Sequence, residues 1–500
     1  MNLDADIVII GSGIGGATAA SVLAPTGAKI LILERGERLQ DTPETRDDRA
    51  IFQRGFFRTK ELWRDGNGEP FSPGNFYNVG GNSKFYGAIL YRYRAEDFTA
   101  REHMEGSTAG WPLSYEELEP WYGMAEKLFR VRGKLGEDPT EPYHSTPYDY
   151  PAVPDEPSLA IARERLKRQG IHASSLPIAI DHSQWLKRAA TPWDGFPDTF
   201  TGKIDAETGP LNHALKHENV RILTDSEVLT LETDGTGKSI THAVVRHRGE
   251  KIKVRAGRFV LAAGAVNSAA LLLRSASSKH EKGLANSSDQ VGRNFMNHNC
   301  TAMITIDPRL RNTSVHQKTF GFNDFYLKDP VTGFPLGNVQ LLGKISGPIF
   351  KANMPRMPEL FAGMIARYSF DWYVMSEDLP NPESRVTVDG DTITLDWQRS
   401  NMLGHQTLVK RVRETFRAAG FPIVLARAFD RRTPSHQCGT AKMGINGADS
   451  VVDPWCASHD IANLHIMDAS VLPTSAAVNP ALTIAALTLR AANHLSANLR

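Results

Sequence analysis

Cysteine is scarce: Cys300, Cys438 and Cys456 are the three in 500 residues. They form no C-x-x-C pair and no metal-ligand spacing with histidine, and an odd count of three gives no disulfide framework. A metal site is therefore not expected. Charge of one sign is also missing: the formal net charge is +1, with no long run of either sign. Nucleic acid and anionic membranes are poor partners for such a surface. No run of about 18 apolar residues exists, so no membrane-inserted helix is expected. The first apolar strand begins within about five residues of the start, so no leader peptide is expected and the chain reads as soluble and cytoplasmic. Internal repeats and low-complexity segments are absent. The composition that remains, 41% hydrophobic and 23% charged, can bury a large core in two or three folding units.

The strongest positive signal is residues 6–36, DIVIIGSGIGGATAASVLAPTGAKILILERG. An apolar strand, Ile7 to Ile10, runs into Gly11-x-Gly13-x-x-Gly16. A small-residue helix and a second apolar strand follow, ending on Glu34, which lies 18 residues after Gly16. Gly11 permits the tight turn, Gly13 lets backbone approach a pyrophosphate, and Gly16 lets the helix pack close on the sheet. The helix start offers unpaired N–H groups and a positive dipole end. Glu34 stands where an acid hydrogen-bonds the adenosine ribose. A glycine-rich turn without a ligand explains neither the third glycine nor the placed acid.

Beyond Glu34, residues 37–75 are polar and loop-like. Asn78 to Arg94 (NVGGNSKFYGAILYRYR) joins two glycines to an aromatic cluster. Residues 95–135 read as helical, with Pro112 near a helix start. One helix is expected near Ser158 to Gln169. Short strands return from residue 219, and Phe259 to Ala262 breaks at Ala263-Gly264 into a helix. Asp389-Gly390 reads as a hairpin turn. A helix from His405 to Gly420, a strand (NLHIMDAS) and a helix from Pro480 complete the chain. The nucleotide-binding elements thus lie at both ends and in the middle. This predicts an α/β fold: a discontinuous Rossmann-like domain (1–95, 216–300, 430–500) and an α+β substrate domain on a mixed or antiparallel sheet (96–215, 301–429).

The C-terminal block from Ser435 to Leu495 contains HxxGTxxMG, beginning at His436, and NPALTIAAL, beginning at Asn479. With the N-terminal fingerprint, it resembles the glucose–methanol–choline (GMC) oxidoreductase family of FAD enzymes that oxidise alcohols and sugars. Within the family, the chain is similar to the pyranose oxidase branch and to bacterial glycoside 3-oxidases, including those for C-glycosides. The resemblance makes His436 the catalytic base and Asn479 its partner, where other members carry a second histidine. It implies flavin contacts from Gly80, Gly81, Asn82 and Ser83, from Ala263 and Gly264, from Asp468 and Ala469, and from Asn479 and Thr483. The backbone near Val228 would meet the adenine. Phe85 stands where fungal pyranose oxidases tether the flavin through histidine, so FAD is expected to be non-covalent.

These residue types suit alcohol oxidation. An imidazole can be neutral yet basic near pH 7, as a base for a hydroxyl proton must be. An asparagine amide orients the substrate oxygen without competing for the proton. Before Pro480, Asn479 also reads as a helix N-cap. Cys438 beside the base reads more readily as a small buried hydrophobe than as a nucleophile. Gln340, alternating with Asn338 and Leu342, is a candidate for a sugar hydroxyl, against the plainer reading of a solvent-facing polar residue. Trp185, Trp193 and Trp372 could stack on a sugar or aglycone, against ordinary core packing. The expected reaction takes a secondary hydroxyl of a sugar or glycoside, at the 3-position, to a ketone, with O2 reoxidising the flavin. A dehydrogenase passing electrons to a quinone or cytochrome is the close alternative. An NADPH-dependent flavin monooxygenase would leave the His436 and Asn479 block unexplained.

Overall fold

The computed structural model describes residues 2–187, 193–199, 202–430 and 436–499. Ser435, the first residue of the C-terminal block, lies outside them. The apolar run Ile7 to Ile10 is buried on both faces, which places its strand, Asn2–Ile10, in the middle of a sheet. It runs parallel to Ile30–Leu33 on one side and to Glu250–Leu261 on the other. Val220–Leu223 adds a further parallel strand beyond Ile30–Leu33. The long strand Glu250–Leu261 serves two partners along its other edge. Its first half pairs antiparallel with Ile240–His247, and its last three residues pair parallel with Leu464–Ile466. Ser226–Thr233 completes the seven-stranded sheet. The crevice beyond its parallel strand ends therefore collects Gly11, Ala263-Gly264 and Asp468, three sites far apart in sequence.

A second, six-stranded sheet is antiparallel at every pairing. Its order is Ile423–Ala428, Asn299–Ile306, Ser369–Ser376, Asn338–Leu341, Phe320–Phe322 and Ser174–Ser175. The strand period of two divides its side chains. Val339, Leu341, Phe370 and Trp372 pack with Leu408, Val412 and Phe416 of the helix Met402–Ala418 as a second core. Trp372 is thus a core residue and no sugar platform. The opposite face carries Asn338 and Gln340, which stand across from Met375 and Tyr373.

Local expectations need four corrections. Within 95–135, Tyr115–Leu128 is a helix, opened by a capping box between Ser114 and Glu117. Arg101–His103 and Gly106–Thr108 instead form a small hairpin, because that stretch lacks apolar residues at helical spacing. Residues 37–75 are not all loop: Trp63–Asp65 pairs parallel with Thr392–Asp396, and no local pattern encodes so distant a partner. The later hairpin turns on Gly390 and Asp391, one residue beyond the expected pair, since Asp389 still pairs with Thr392. Gln340 is 1% exposed and so not solvent-facing. Trp185 is buried, and Trp193 meets Phe52 edge to face at 5.3 Å.

Candidate active site

The cradle at the parallel strand ends is shaped by what has no side chain. A Cβ on Gly15 would lie 1.7 Å from the Met467 carbonyl oxygen, and one on Gly16 would lie 2.0 Å from that of Gly11. Both positions exclude any larger residue. Gly13 and Gly264 differ, because a Cβ there would meet nothing within 4 Å. The helix Ile14–Leu23 starts at Gly13 without a side-chain cap, so its first N–H groups and dipole face open space, as an anion site requires.

Glu34 ends the second strand as expected, 6% exposed. Its carboxylate accepts from Ser12 N at 3.0 Å, Ser12 Oγ at 2.5 Å and Gly36 N at 2.9 Å. Burial pushes its pKa up, and these hydrogen bonds oppose that shift. Ser12 Oγ also accepts from Gly80 N at 3.0 Å, which ties the flavin-loop glycines to the first strand. A Cβ on Gly81 would lie 3.5 Å from Gly13. Asn82 is exposed, and its Oδ1 accepts from Phe76 N. Ser83 Oγ donates to Gly80 O and accepts from Ala206 N. Asp468 joins two strand ends by accepting from Gly264 N, Ser268 Oγ and Ser470 N. Ala469 O accepts from Gly439 N. Thr483 shares a hydrogen bond with the Tyr122 hydroxyl. Val228 is half-buried beside an irregularity of its strand. Phe85 stacks on Phe76 at 3.8 Å, and its carbon-only ring offers no atom for a flavin bond.

His436 and Asn479 meet. Asn479 Nδ2 lies 3.4 Å from His436 Nε2, and Asn479 Oδ1 is buried without a partner. Asn479 is not the expected N-cap. The helix Ala481–Ala497 is capped by Pro480, already in helical conformation, with no side-chain hydrogen bond. The amide is consequently free to face the histidine.

A second histidine, unanticipated from the sequence, completes the arrangement. His298 Nδ1 lies 2.7 Å from His436 Nδ1, and His298 Nε2 lies 2.9 Å from the Ser475 carbonyl. A carbonyl only accepts, so His298 Nε2 carries the proton and its Nδ1 is the acceptor. His436 Nδ1 then donates, leaving a lone pair on His436 Nε2 towards Asn479. The network thus assigns the tautomer of a general base. Burial lowers the His298 pKa to about 4. Burial first, then His298 and Lys318, holds His436 well below the ordinary imidazole value. Cys438 is buried and its thiol pKa is raised, chiefly by burial, so it stays neutral and unreactive.

Gln340 Oε1 and Asn338 Oδ1 are buried acceptors without partners among the described residues. Sequence reasoning missed Ser12, His298 and the buried ion pair Lys318–Asp194 (2.6 Å). Ser12 could have been found as the small residue between the first two fingerprint glycines. His298 has no motif of its own, and 138 residues separate it from its partner.

Comparison with known proteins decides the family. GMC oxidoreductase family models match residues 188–300 and 380–488, and an NAD(P)-binding Rossmann-like domain matches residues 9–57. The chain belongs to the GMC oxidoreductase family. This GMC chain is similar to 6'''-hydroxyparomomycin C oxidase of Streptomyces lividus, at 28% identity over 99% of this chain and 92% of that protein. It is also similar to the fructose dehydrogenase large subunit of Gluconobacter japonicus, at 26% identity over 100% of this chain and 99% of that protein. Among solved structures, pyridoxine 4-oxidase from Mesorbium loti shares the fold, with a TM-score of 0.68 at 20% identity, covering 98% of this chain and 99% of that one. The FAD expected from the sequence is a dinucleotide, and residues 9–57 match a Rossmann-like dinucleotide-binding domain. The residues present fit FAD: open space at Gly13 and Gly264, an acid at the second strand end, and an unpartnered amide oxygen on Asn479. No helix among the described residues is long and apolar enough to cross a membrane.

Proposed function

We propose that the protein oxidises a secondary hydroxyl of a sugar or glycoside, at C-3 of a glucoside, C-glycosides included, to a ketone, with O2 as the acceptor and hydrogen peroxide as the product. The observation that carries the chemistry is the unprotonated His436 Nε2, 3.4 Å from Asn479 Nδ2, with its tautomer held by His298. Segments 1–95, 216–300 and 430–500 would form the cofactor domain, and 96–215 and 301–429 the substrate domain.

FAD, when bound, would supply the hydride-accepting redox chemistry. The backbone at Gly11, Gly13, Gly16, Gly80 and Gly81 would hold its phosphates and ring, and Glu34 its ribose. His436 Nε2 takes the hydroxyl proton. Asn479 Nδ2 donates to the same oxygen and fixes the carbinol geometry. Burial keeps His436 neutral and ready to accept. Gln340 Oε1 and Asn338 Oδ1 accept from ring hydroxyls, a task suited to buried oxygens without partners.

Anaerobic bleaching of the flavin spectrum against glucose, simple alcohols, choline, and O- and C-glycosides tests this reading. Bleaching by glycosides with fast recovery in air is expected, and a 3-keto product by NMR completes it. Slow recovery in air that a quinone or cytochrome speeds would replace O2 as the acceptor. Bleaching by NADPH alone would overturn the reading.

A further inference from the structure

Three buried lysines crowd the segment that runs past the flavin loop, and two of them are fully engaged. Lys84 Nζ reaches Asp198 O at 2.6 Å, Glu207 at 2.7 Å and Asp205 at 3.1 Å. Lys203 Nζ donates to the carbonyls of Tyr86 (3.0 Å), Asp194 (2.7 Å) and Phe196 (2.7 Å). Each uses all three ammonium protons. Lys318 is different. Among the described residues its one hydrogen bond goes to Asp194 Oδ2 at 2.6 Å, and its side chain is 5% exposed. Two N–H donors remain in a place where an unpaired ammonium proton is costly.

The position of Lys318 ties it to the active site from three directions. A Cβ on Gly87, at the end of the flavin loop, would lie 1.9 Å from Lys318 Nζ. Its partner Asp194 presses on Gly343, where a Cβ would meet Asp194 Oδ1 at 2.5 Å. Gly343 follows the strand that carries Gln340. The Lys318 charge also acts on His436. A donor with protons to spare thus stands among the base, the flavin loop and the strand of unpartnered acceptors.

We propose that Lys318, braced by Asp194, is a substrate-binding residue that donates to a ring hydroxyl next to the one being oxidised. The assignment rests on the reading of the site as one for a hydroxylated ring. Asp194 aims the amine. Gln340 and Asn338 accept from hydroxyls, whereas Lys318 donates, so the site would read a vicinal diol from both sides. A ring lacking the neighbouring hydroxyl leaves the ammonium protons unpaired, and rejection of that analogue follows.

The test compares a glucoside with its 2-deoxy and 4-deoxy analogues in wild type and Lys318→Gln, by anaerobic flavin reduction. Wild type is expected to favour the full glucoside over one deoxy analogue by about ten- to a hundredfold in kcat/KM. Lys318→Gln should lose most of that preference, slowing on the full glucoside about tenfold or more beyond its slowing on the same deoxy analogue. Should Lys318→Gln fail to hold flavin, Lys318→Gln with Asp194→Asn, which replaces the ion pair by a neutral couple, is read instead. Equal loss on the glucoside and both analogues, with discrimination intact, overturns the assignment and leaves a structural ion pair. Failure of every hydroxylated ring to bleach wild type overturns the function beneath it instead.

Discussion

Under the proposed function, the two sheets build their halves of the site by opposite means. The seven-stranded mixed sheet works through backbone. Its ligand end is a set of glycines, strand ends and helix N–H groups, and its key positions are defined by side chains they cannot have. Gly15 and Gly16 touch carbonyl oxygens, whereas Gly13 and Gly264 face open space. The antiparallel sheet works through side chains. One of its faces is an apolar core around Trp372 and Phe416, and the other presents polar atoms such as Gln340 Oε1 that lack partners. A cofactor used unchanged by many enzymes can be held by backbone. A substrate that distinguishes one enzyme from the next needs side chains that can differ.

This contrast can be broken, beginning with the largest effect. Gly15→Val drives a side chain into the Met467 carbonyl, so a loss of about 3 kcal/mol or more and a colourless protein are expected. Normal flavin content by absorbance would show that the cradle tolerates side chains after all. His436→Ala should keep its flavin yet reduce it about a thousandfold more slowly in anaerobic stopped flow. An undiminished rate would place the base elsewhere. Asn479→Ala should slow reduction about ten- to a hundredfold with the flavin retained, since one hydrogen bond to the reacting oxygen is lost. If Asn479→Ala instead only lowered the melting temperature, its role would be structural.

Two smaller effects concern protons. His436 is held well below the ordinary imidazole value, so kcat/KM should stay flat as pH falls from 8 through 6.5. An acid limb near 6.5 would show that the imidazole is not desolvated. Glu377 is buried below the Ser475–Ala476 turn, where its Oε1 accepts from Ala476 N, and burial raises its pKa to about 8. Its folded value exceeds the unfolded one, so its contribution to stability is complete below about 4.5 and is lost as pH rises through about 8. Glu377→Gln should therefore raise the melting temperature at pH 8 relative to wild type by about 2 °C, with less gain at pH 5. An equal shift at both pH values would refute the linkage.

Legibility in the sequence followed the same divide. The fingerprint glycines, Glu34 and the strand break at Ala263-Gly264 could be read because local geometry dictates them. Each is a backbone demand satisfied by a residue and its near neighbours. His436 and Asn479 were legible only through resemblance, since nothing within about ten residues of either shows what they face. The second sheet's strands were visible, but not which face each side chain joins. The pattern therefore leaves Trp372 open between a sugar platform and core packing, and Gln340 between a sugar contact and a solvent-facing residue.

The sequence by itself determined the dinucleotide cradle and the family, because these depend on short-range patterns and on residue chemistry. Tertiary structure alone decided that His298 sets the tautomer of His436, that Asn479 faces His436 instead of capping its helix, and that Lys318 has one hydrogen-bond partner among the described residues. Those properties belong to pairs of atoms brought together across 43 to 138 residues of chain. Hydrogen-bond direction exists only once such pairs are within about 3 Å of each other.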